Sequence, residues 1–274
     1  MDRTMSAPKL SIDRVGKRFD AAGHASTVAV QDFTLDVHRG EFLAIVGPSG
    51  CGKTTVLNLL AGLELPSEGS VAIDGRRIAG PAPERGVMFQ DYALFPWQTV
   101  EGNVAFGLRY GPAGAGMSDA ARADRVRKCI DLVGLAGSEH KDPHQLAGGM
   151  RQRTALARLM AMEPQVLLMD EPLAALDAQT RIILQGELLR IWGQERPASE
   201  RRTVVFITHA IDEAVFLADR VAVMTSHPGR LKALIDVTLP RPRDDATRAT
   251  PAFQALVQTI WALIRDEAYR AIVT

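Results

Sequence analysis

A chain of 274 residues that is 46% apolar and 23% charged has the make-up of an ordinary soluble globular protein, long enough for one large α/β domain or two smaller lobes with a full core. Its 32 basic residues balance 32 acidic ones, so the net charge calls for neither nucleic acid nor an anionic membrane as a partner. Two cysteines, Cys51 and Cys129, make neither a disulfide framework nor a metal cluster, and free thiols point to a reducing compartment.

The segment Met1-Asp2-Arg3-Thr4-Met5-Ser6 lacks the apolar core of a signal peptide. No apolar run approaches the roughly 20 residues of a spanning helix, so work at a membrane requires spans from another chain. Residues 9 to 46 read as short strands, Leu10-Ser11-Ile12 and Thr34-Leu35-Asp36-Val37, joined by the polar stretch Asp20-Ala21-Ala22-Gly23-His24. Phe19 is open to two readings, an aromatic face for an adenine or a core phenylalanine.

The apolar run Phe42-Leu43-Ala44-Ile45-Val46 leads into Gly47-Pro48-Ser49-Gly50-Cys51-Gly52-Lys53-Thr54-Thr55, and Val56-Leu57-Asn58-Leu59-Leu60 continues as a helix. This is a phosphate loop, G-x-x-x-x-G-K-[ST], in its strand-loop-helix setting. Glycines let main-chain N–H groups turn inward without an obstructing Cβ, and the helix start adds about half an elementary positive charge. Lys53 is expected to reach the β and γ phosphates of a nucleotide, and the Thr54 hydroxyl to hold Mg²⁺.

Gly69-Ser70-Val71-Ala72-Ile73-Asp74-Gly75 predicts a strand and an Asp-Gly hairpin turn. Gly86-Val87-Met88-Phe89-Gln90 reads as a buried strand ending on an amide that serves either loop solvation or a site. From Asp91 to Met162 helical patterning dominates, with Gly111-Pro112-Ala113-Gly114-Ala115-Gly116 as a flexible connection, and the segment reads as a helical insertion. Within it, Leu146-Ala147-Gly148-Gly149 opens a helix through Leu159, offering an anion a second set of helix N-terminal amides.

Val166-Leu167-Leu168-Met169 ends in Asp170-Glu171. An Asp closing a buried strand can support Mg²⁺ and a carboxylate beyond it can orient an attacking water, although two such acids also suit a solvated turn. Arg181 to Arg196 carries Ile182, Ile183, Leu188, Leu189, Ile191 and Trp192 as a packing stripe, interrupted by Gly186. Thr203-Val204-Val205-Phe206-Ile207-Thr208-His209 reads as another buried strand, which delivers His209 at its C-terminal end either as a structural residue or at the ligand-binding carboxyl end of a parallel sheet. Val221-Ala222-Val223-Met224 forms a last core strand, with a turn at His227-Pro228-Gly229-Arg230 before Leu234-Ile235-Asp236-Val237. In the tail, Phe253, Leu256, Val257, Ile260, Trp261 and Ile264 form one helical stripe that covers its own domain or clasps a partner.

The phosphate loop, Gln90, the paired-glycine turn, Asp170-Glu171 and His209, met in that order, make residues 9 to 240 resemble the ATP-binding subunit of an ABC transporter. The resemblance implies an α/β fold of the P-loop NTPase type: a RecA-like core with a mostly parallel sheet, an N-terminal antiparallel β subdomain and a helical subdomain over about 91–162. Residues 241–274 form a C-terminal helical tail. It implies a head-to-tail homodimer in the closed state, each ATP lying between the phosphate loop of one copy and Ala147-Gly148-Gly149 of the other. Phe19 stacks on adenine in this scheme, Gln90 senses Mg²⁺ and the attacking water, and Asp170 supports Mg²⁺. Glu171 is the base or water-orienting carboxylate, His209 contacts the γ phosphate, and Ala174-Ala175-Leu176-Asp177 meets the other copy.

Pro83 to Gln90, Leu94-Phe95-Pro96-Trp97, Pro228-Gly229-Arg230 and Leu239 to Asp244 resemble the taurine, nitrate and aliphatic sulfonate import group in particular. The resemblance therefore implies an ATP hydrolase coupled to transport, peripheral on the cytoplasmic face of the cell membrane. Its partners are permease subunits and, indirectly, a solute-binding protein, with no nucleic acid. Leu94-Phe95-Pro96-Trp97 either lines a groove for a permease helix or packs its own lobe. The alternatives are a soluble ATPase of the same type acting on nucleic acid or the ribosome, and an exporter subunit; the chain has one cassette, no sustained heptads and no basic run. Two departures stand out. Ala147 replaces the serine of the family's Leu-Ser-Gly-Gly, and Ala210 follows His209 where the family usually has Asp.

Overall fold

The computed structural model describes residues 7–20 and 26–273; the segment Ala21 to His24 and the N-terminal Met1 to Ser6 lie outside the described residues. The chain divides into two units, one made of residues 1–82 and 189–274 and the other of residues 83–188.

The first unit carries two sheets. In one, β1 (Leu10–Phe19) pairs antiparallel with β2 (Thr27–Val37) on one side and β4 (Glu68–Ile73) on the other. Both β1 and β2 are longer than their hydrophobic alternation predicts. The register of β1 shifts between Ile12 and Val15 and again beyond it, so the period-2 pattern that marks a strand is lost while pairing continues. The predicted hairpin is present: Asp74 and Gly75 both have positive φ, 47° and 72°, and lead from β4 into β5 (Arg76–Arg77). Lys9 and Arg39 both bond the Asp74 carboxylate, at 2.6 Å each.

In the other sheet, β3 (Phe42–Val46) lies parallel between β8 (Thr203–Ile207) and β9 (Arg220–Met224), and β10 (Leu231–Asp236) adds antiparallel to β9. Every residue of β3 and β8 is buried, as continuous apolar runs require of a sheet covered on both faces. Phe42 packs edge-on to Trp192 and tilted against Phe206, with centroids 5.8 and 5.7 Å apart. The guanidinium groups of Arg201 and Arg241 lie over the Trp192 ring, 4.7 and 4.2 Å from its centroid.

Two helices of this unit close its core. Helix α6 (Ile211–Leu217) ends against Arg243, which donates to the carbonyls of Val215, Phe216, Ala218, Val237 and Leu239. Arg243 is only 3% exposed, so this one cation satisfies main-chain oxygens at the helix end that no water reaches. Helix α7 (Pro251–Val273) packs on α6 and β9 within the same unit, the first of the two readings of the tail. Its buried face runs through Phe253, Ile260 and Glu267. Trp261, one residue round from Ile260, sits at the rim and is 48% exposed, contrary to its predicted place in the stripe.

The second unit combines a parallel strand pair, β6 (Arg85–Met88) with β7 (Val166–Asp170), and helices α2 (Val100–Tyr110), α3 (Asp119–Leu132) and α4 (Gly148–Ala161), which pack on one another. The stretch from Gly111 to Gly116 is not a flexible connection. Pro112–Gly114 forms a 3-10 turn in which Gly114 is buried against the Leu108 carbonyl so closely that a Cβ would collide with it. Helix α5 (Ala178–Trp192) leads back into the first unit. Leu184, Leu188, Leu189 and Trp192 are its buried apolar residues, whereas Ile182 and Ile183 are exposed rather than part of the packing stripe. Ile183 falls on the side of the helix away from the i, i+4, i+8 row of Leu184, Leu188 and Trp192.

Asn103, fully buried in α2, holds the loop before that helix. Its Oδ1 accepts from Phe95 N at 2.8 Å, and its Nδ2 donates to the carbonyls of Phe95, Gln98 and Thr99. The loop presents a continuous row of rings, Trp97, Phe95, Phe106 and Tyr110, with successive centroids 5.7, 4.1 and 4.9 Å apart. Trp97 and Tyr110 at its ends are 72% and 73% exposed.

Replacing Arg243 by Met strips five buried carbonyls of their donor at nearly constant volume. Such a loss costs about 2–4 kcal/mol of unfolding free energy in urea titrations, whereas an exposed arginine changes it by less than about 0.5 kcal/mol.

Candidate functional site

In the first unit the phosphate loop leaves β3 at Val46 and enters α1 (Lys53–Ala61) at its first residue. Gly52 caps the helix with φ 95°, a left-handed conformation that L side chains rarely adopt, and a Cβ there would lie 2.8 Å from the Ala29 carbonyl oxygen of β2. Gly229, in the turn between β9 and β10, closes the other side. A Cβ at that residue would collide with the Cys51 carbonyl oxygen of the loop itself. Gly229 N donates to Ala29 O at 3.0 Å, and its carbonyl accepts from Gln31 N at 2.9 Å. The loop is thus enclosed by main chain from two other segments.

Lys53 is 6% exposed, and its ammonium donates to the carbonyls of Gly47 and Pro48 at 2.9 and 2.8 Å. A positive charge is therefore held inside the loop at the start of a helix, the arrangement a polyphosphate needs. Thr54 is exposed on the first turn of α1, and Ser49 and Gly50 stand on the outer part of the loop. Cys51 is buried with its Sγ 3.9 Å from Lys53 Nζ; burial pushes the thiol up, only partly opposed by Lys53. A raised thiol stays protonated and inert.

Phe19 ends β1 and is 40% exposed, so it is not a core phenylalanine. Lys17 Nζ lies 4.8 Å from its ring centroid and is itself bonded to Glu64 Oε2 at 2.7 Å and to the Leu65 carbonyl at 3.0 Å. His209, exposed, stands two residues beyond the end of β8. Its turn is built by Thr208, whose hydroxyl donates to the buried Glu213 carboxylate at 2.7 Å and accepts from Ala210 N at 3.0 Å. Ala210 itself stands at the N-cap of the helix that follows without a side-chain cap.

In the second unit β7 ends on Asp170, 3% exposed, and Glu171 follows with φ 50°. Positive φ at a glutamate is sparsely populated and persists only where the surroundings enforce it. Its carbonyl accepts from the buried Gln152 amide of α4 at 3.4 Å and from Ala174 N at 3.2 Å. Its side chain meets Gln90, two residues past β6, with Gln90 Nε2 donating to Glu171 Oε2 at 3.3 Å. The two parallel strands therefore deliver an amide and a carboxylate to each other at their carboxyl ends. Gln152 lies seven residues before Leu159 in a helix read from the sequence, and nothing in the pattern marks it as the residue that holds Glu171.

Ala147 stands at the N-cap of α4 with φ −62° and ψ 159°, the extended geometry of a capping residue, but without a side-chain acceptor. Gly148 and Gly149 form the first turn, and a Cβ on Gly149 would come within 3.2 Å of Leu176. The loop Ala174 to Asp177 lies against that turn. Asp177 accepts from Thr180 N at 3.0 Å at the start of α5, and this bond holds its carboxyl below the usual range.

The three oxygens read from the sequence for a divalent cation, the Thr54 hydroxyl, the Gln90 amide oxygen and the Asp170 carboxylate, are each hard donors. That chemistry suits Mg²⁺ rather than a softer metal.

A family profile described as ABC transporter matches residues 30–174. An uncharacterized ABC transporter ATP-binding protein of Methanocaldococcus jannaschii is 46% identical over 96% of this chain and 94% of its own length. An aliphatic sulfonates import ATP-binding protein of Bacillus licheniformis is 43% identical, covering 90% of this chain and 91% of the relative. A nitrate import ATP-binding protein of Synechococcus elongatus is 43% identical, covering 88% and 85%. Among solved structures, a dimeric post-hydrolysis ATP-binding cassette bound to ADP and Pi superposes with a TM-score of 0.74 at 30% identity, covering 83% of this chain and 98% of the other. With the profile match spanning more than half of the chain and relatives at 43–46% identity along nearly its full length, the chain belongs to the ABC transporter family.

Proposed function

We propose that this protein is the ATP-hydrolysing, energy-coupling subunit of an importer for a small anion such as nitrate, taurine or another sulfonate. The observation that carries the reading is the Lys53 ammonium held against the Gly47 and Pro48 carbonyls at the start of α1, a cation presented from inside a phosphate loop. The names of the sulfonate and nitrate relatives favour import and an anionic cargo.

In this reading residues 9–240 are the cassette, with a helical subdomain near 91–162, and residues 241–274 are its tail. The amides of residues 47 to 55 and Lys53 bind the phosphates of ATP, and the open face of Phe19 stacks on adenine. Thr54, Gln90 and Asp170 hold Mg²⁺, which when bound neutralises phosphate charge. Phosphoryl transfer to water asks the protein mainly for positioning and charge compensation. A carboxylate with a reference pKa near 4.3 is a weak base at neutral pH, so Glu171, held by Gln152 and Gln90, contributes chiefly by orienting the water. His209 contacts the γ phosphate. A second copy of the chain supplies Gly148 and Gly149 across a closed homodimer, with residues 174 to 177 at the contact.

No described helix is long and apolar enough to cross a membrane. In this reading the chain acts from the cytoplasmic face on permease subunits, and through them on a solute-binding protein. The ring row ending in the exposed Trp97 is the docking surface for a permease helix.

Substituting Lys53 by Ala removes charge-assisted bonds of about 1.5–3 kcal/mol, so the dissociation constant for ATP rises by roughly 10- to 150-fold in calorimetric titrations; an unchanged constant contradicts the loop assignment. Glu171→Gln leaves binding intact and lowers turnover by roughly 10²–10⁴-fold, measured as phosphate release. Ala147→Ser restores an acceptor at the α4 N-cap, adding about 1 kcal/mol of stability and raising permease-coupled ATPase activity. Trp97→Ala weakens co-purification with the permease, at a cost of about 2 kcal/mol if Trp97 anchors the contact; full retention assigns it to packing of its own lobe.

A further inference from the structure

The tail helix carries a charged group where its apolar stripe calls for a hydrophobic one. Glu267 is 2% exposed, and its carboxylate is held by three donors outside α7. Oε2 accepts from Ser226 N at 3.0 Å and Ser226 Oγ at 3.1 Å, and Oε1 accepts from Lys232 Nζ at 2.8 Å. Lys232 also donates to the Leu263 carbonyl of α7 at 2.9 Å. Burial alone would raise this carboxyl, but the donors from Lys232 and Ser226 together hold it below the ordinary range. Its lone pairs are directed at Ser226, in the turn between β9 and β10, and at Lys232 of β10.

That turn is the one that encloses the phosphate loop. Ser226 begins the Ser226 to Arg230 connection between β9 and β10, closed on itself by Thr225 N to Arg230 O at 3.0 Å, Arg230 N to Thr225 Oγ1 at 2.9 Å and Thr225 Oγ1 to Pro228 O at 3.1 Å. A small, internally bonded turn moves as one piece. Gly229 at its tip abuts the Cys51 carbonyl and bonds to Ala29 and Gln31 of β2, while Arg230 Nη2 reaches Gln31 Oε1 at 2.6 Å. A rotation of the turn therefore reaches the loop main chain through contacts with no slack.

We infer that Glu267 is a positioning residue for the phosphate loop: by clamping Ser226 and Lys232 it seats Gly229 against Cys51, and the C-terminal helix thereby sets nucleotide affinity. The inference rests on the nucleotide-binding reading of that loop. It concerns binding of ATP rather than the hydrolytic step, because none of the contacts involves Glu171, Gln90 or His209.

The test is a titration of full-length protein with Mg-ATP, followed by steady-state hydrolysis, for wild type, Glu267→Ala, Glu267→Gln and Asp266→Ala. Glu267→Ala raises the dissociation constant and KM by about tenfold, equivalent to about 1.4 kcal/mol, with kcat within about twofold, the signature of lost uniform binding. Glu267→Gln keeps an oxygen acceptor for Ser226 and recovers binding to within about threefold. The exposed neighbour Asp266 has no such contact, and its alanine variant binds as wild type. A Glu267→Ala protein that is less heat-stable yet binds Mg-ATP as wild type overturns the inference and leaves the loop assignment standing. Failure of the wild-type chain to bind, or full binding by Lys53→Ala, overturns both. Should Glu267→Ala not fold, the Ser226→Ala, Lys232→Met pair removes two of the three donors while keeping Glu267; undiminished affinity in that protein overturns the inference equally.

Discussion

The constraint on which the first unit depends is steric: the loop from Gly47 to Lys53 is confined by main chain that permits one path. Ala29 of β2 leaves no room for a side chain at residue 52, and the Cys51 carbonyl leaves none at residue 229. Because both neighbours are backbone, they cannot yield as a flexible side chain would. The cation of Lys53 is then fixed by the same loop's carbonyls rather than by a remote acid. A loop so enclosed presents its amides without first having to order them, which is how preorganisation raises affinity.

The second unit solves a related problem by different means. The φ of 50° at Glu171 turns its main chain out of the strand and gives the carboxylate a fixed origin. The Gln152 amide holds the carbonyl at that bend while Gln90 meets the side chain, so helix α4, which also starts with the paired glycines, shares control of the glutamate.

What could be read from the chain follows the range of the interactions. The phosphate loop, the Asp-Gly hairpin and the strands ending in Asp170 and before His209 are local patterns, each written within ten or so residues, and the structure places them as elements of the expected kind. The bulged part of β1 was illegible because its pairing continues where alternation stops. Ile182, Ile183 and Trp261 count as hydrophobic wherever they stand, and only the direction of each helix face distinguishes those that are buried. The Gly-rich run at 111–116 signals flexibility by composition, yet its glycine serves close packing on Leu108. Gln152, Arg243 and Glu267 act across long sequence separations or through main-chain acceptors, and no spacing rule announces them. The assignments of individual site residues stay proposals drawn from motif position and local geometry.

The account turns on an enclosed loop that is shaped before nucleotide arrives, and Gly229→Ala addresses it directly. The added methyl meets the Cys51 carbonyl oxygen and removes none of the groups assigned to bind the phosphates. Calorimetric titration with Mg-ATP, below the unfolding temperature of the variant, is expected to show affinity reduced by roughly tenfold or more because Cys51 must be displaced. Wild-type affinity in that protein would contradict the claim that main-chain enclosure shapes the site.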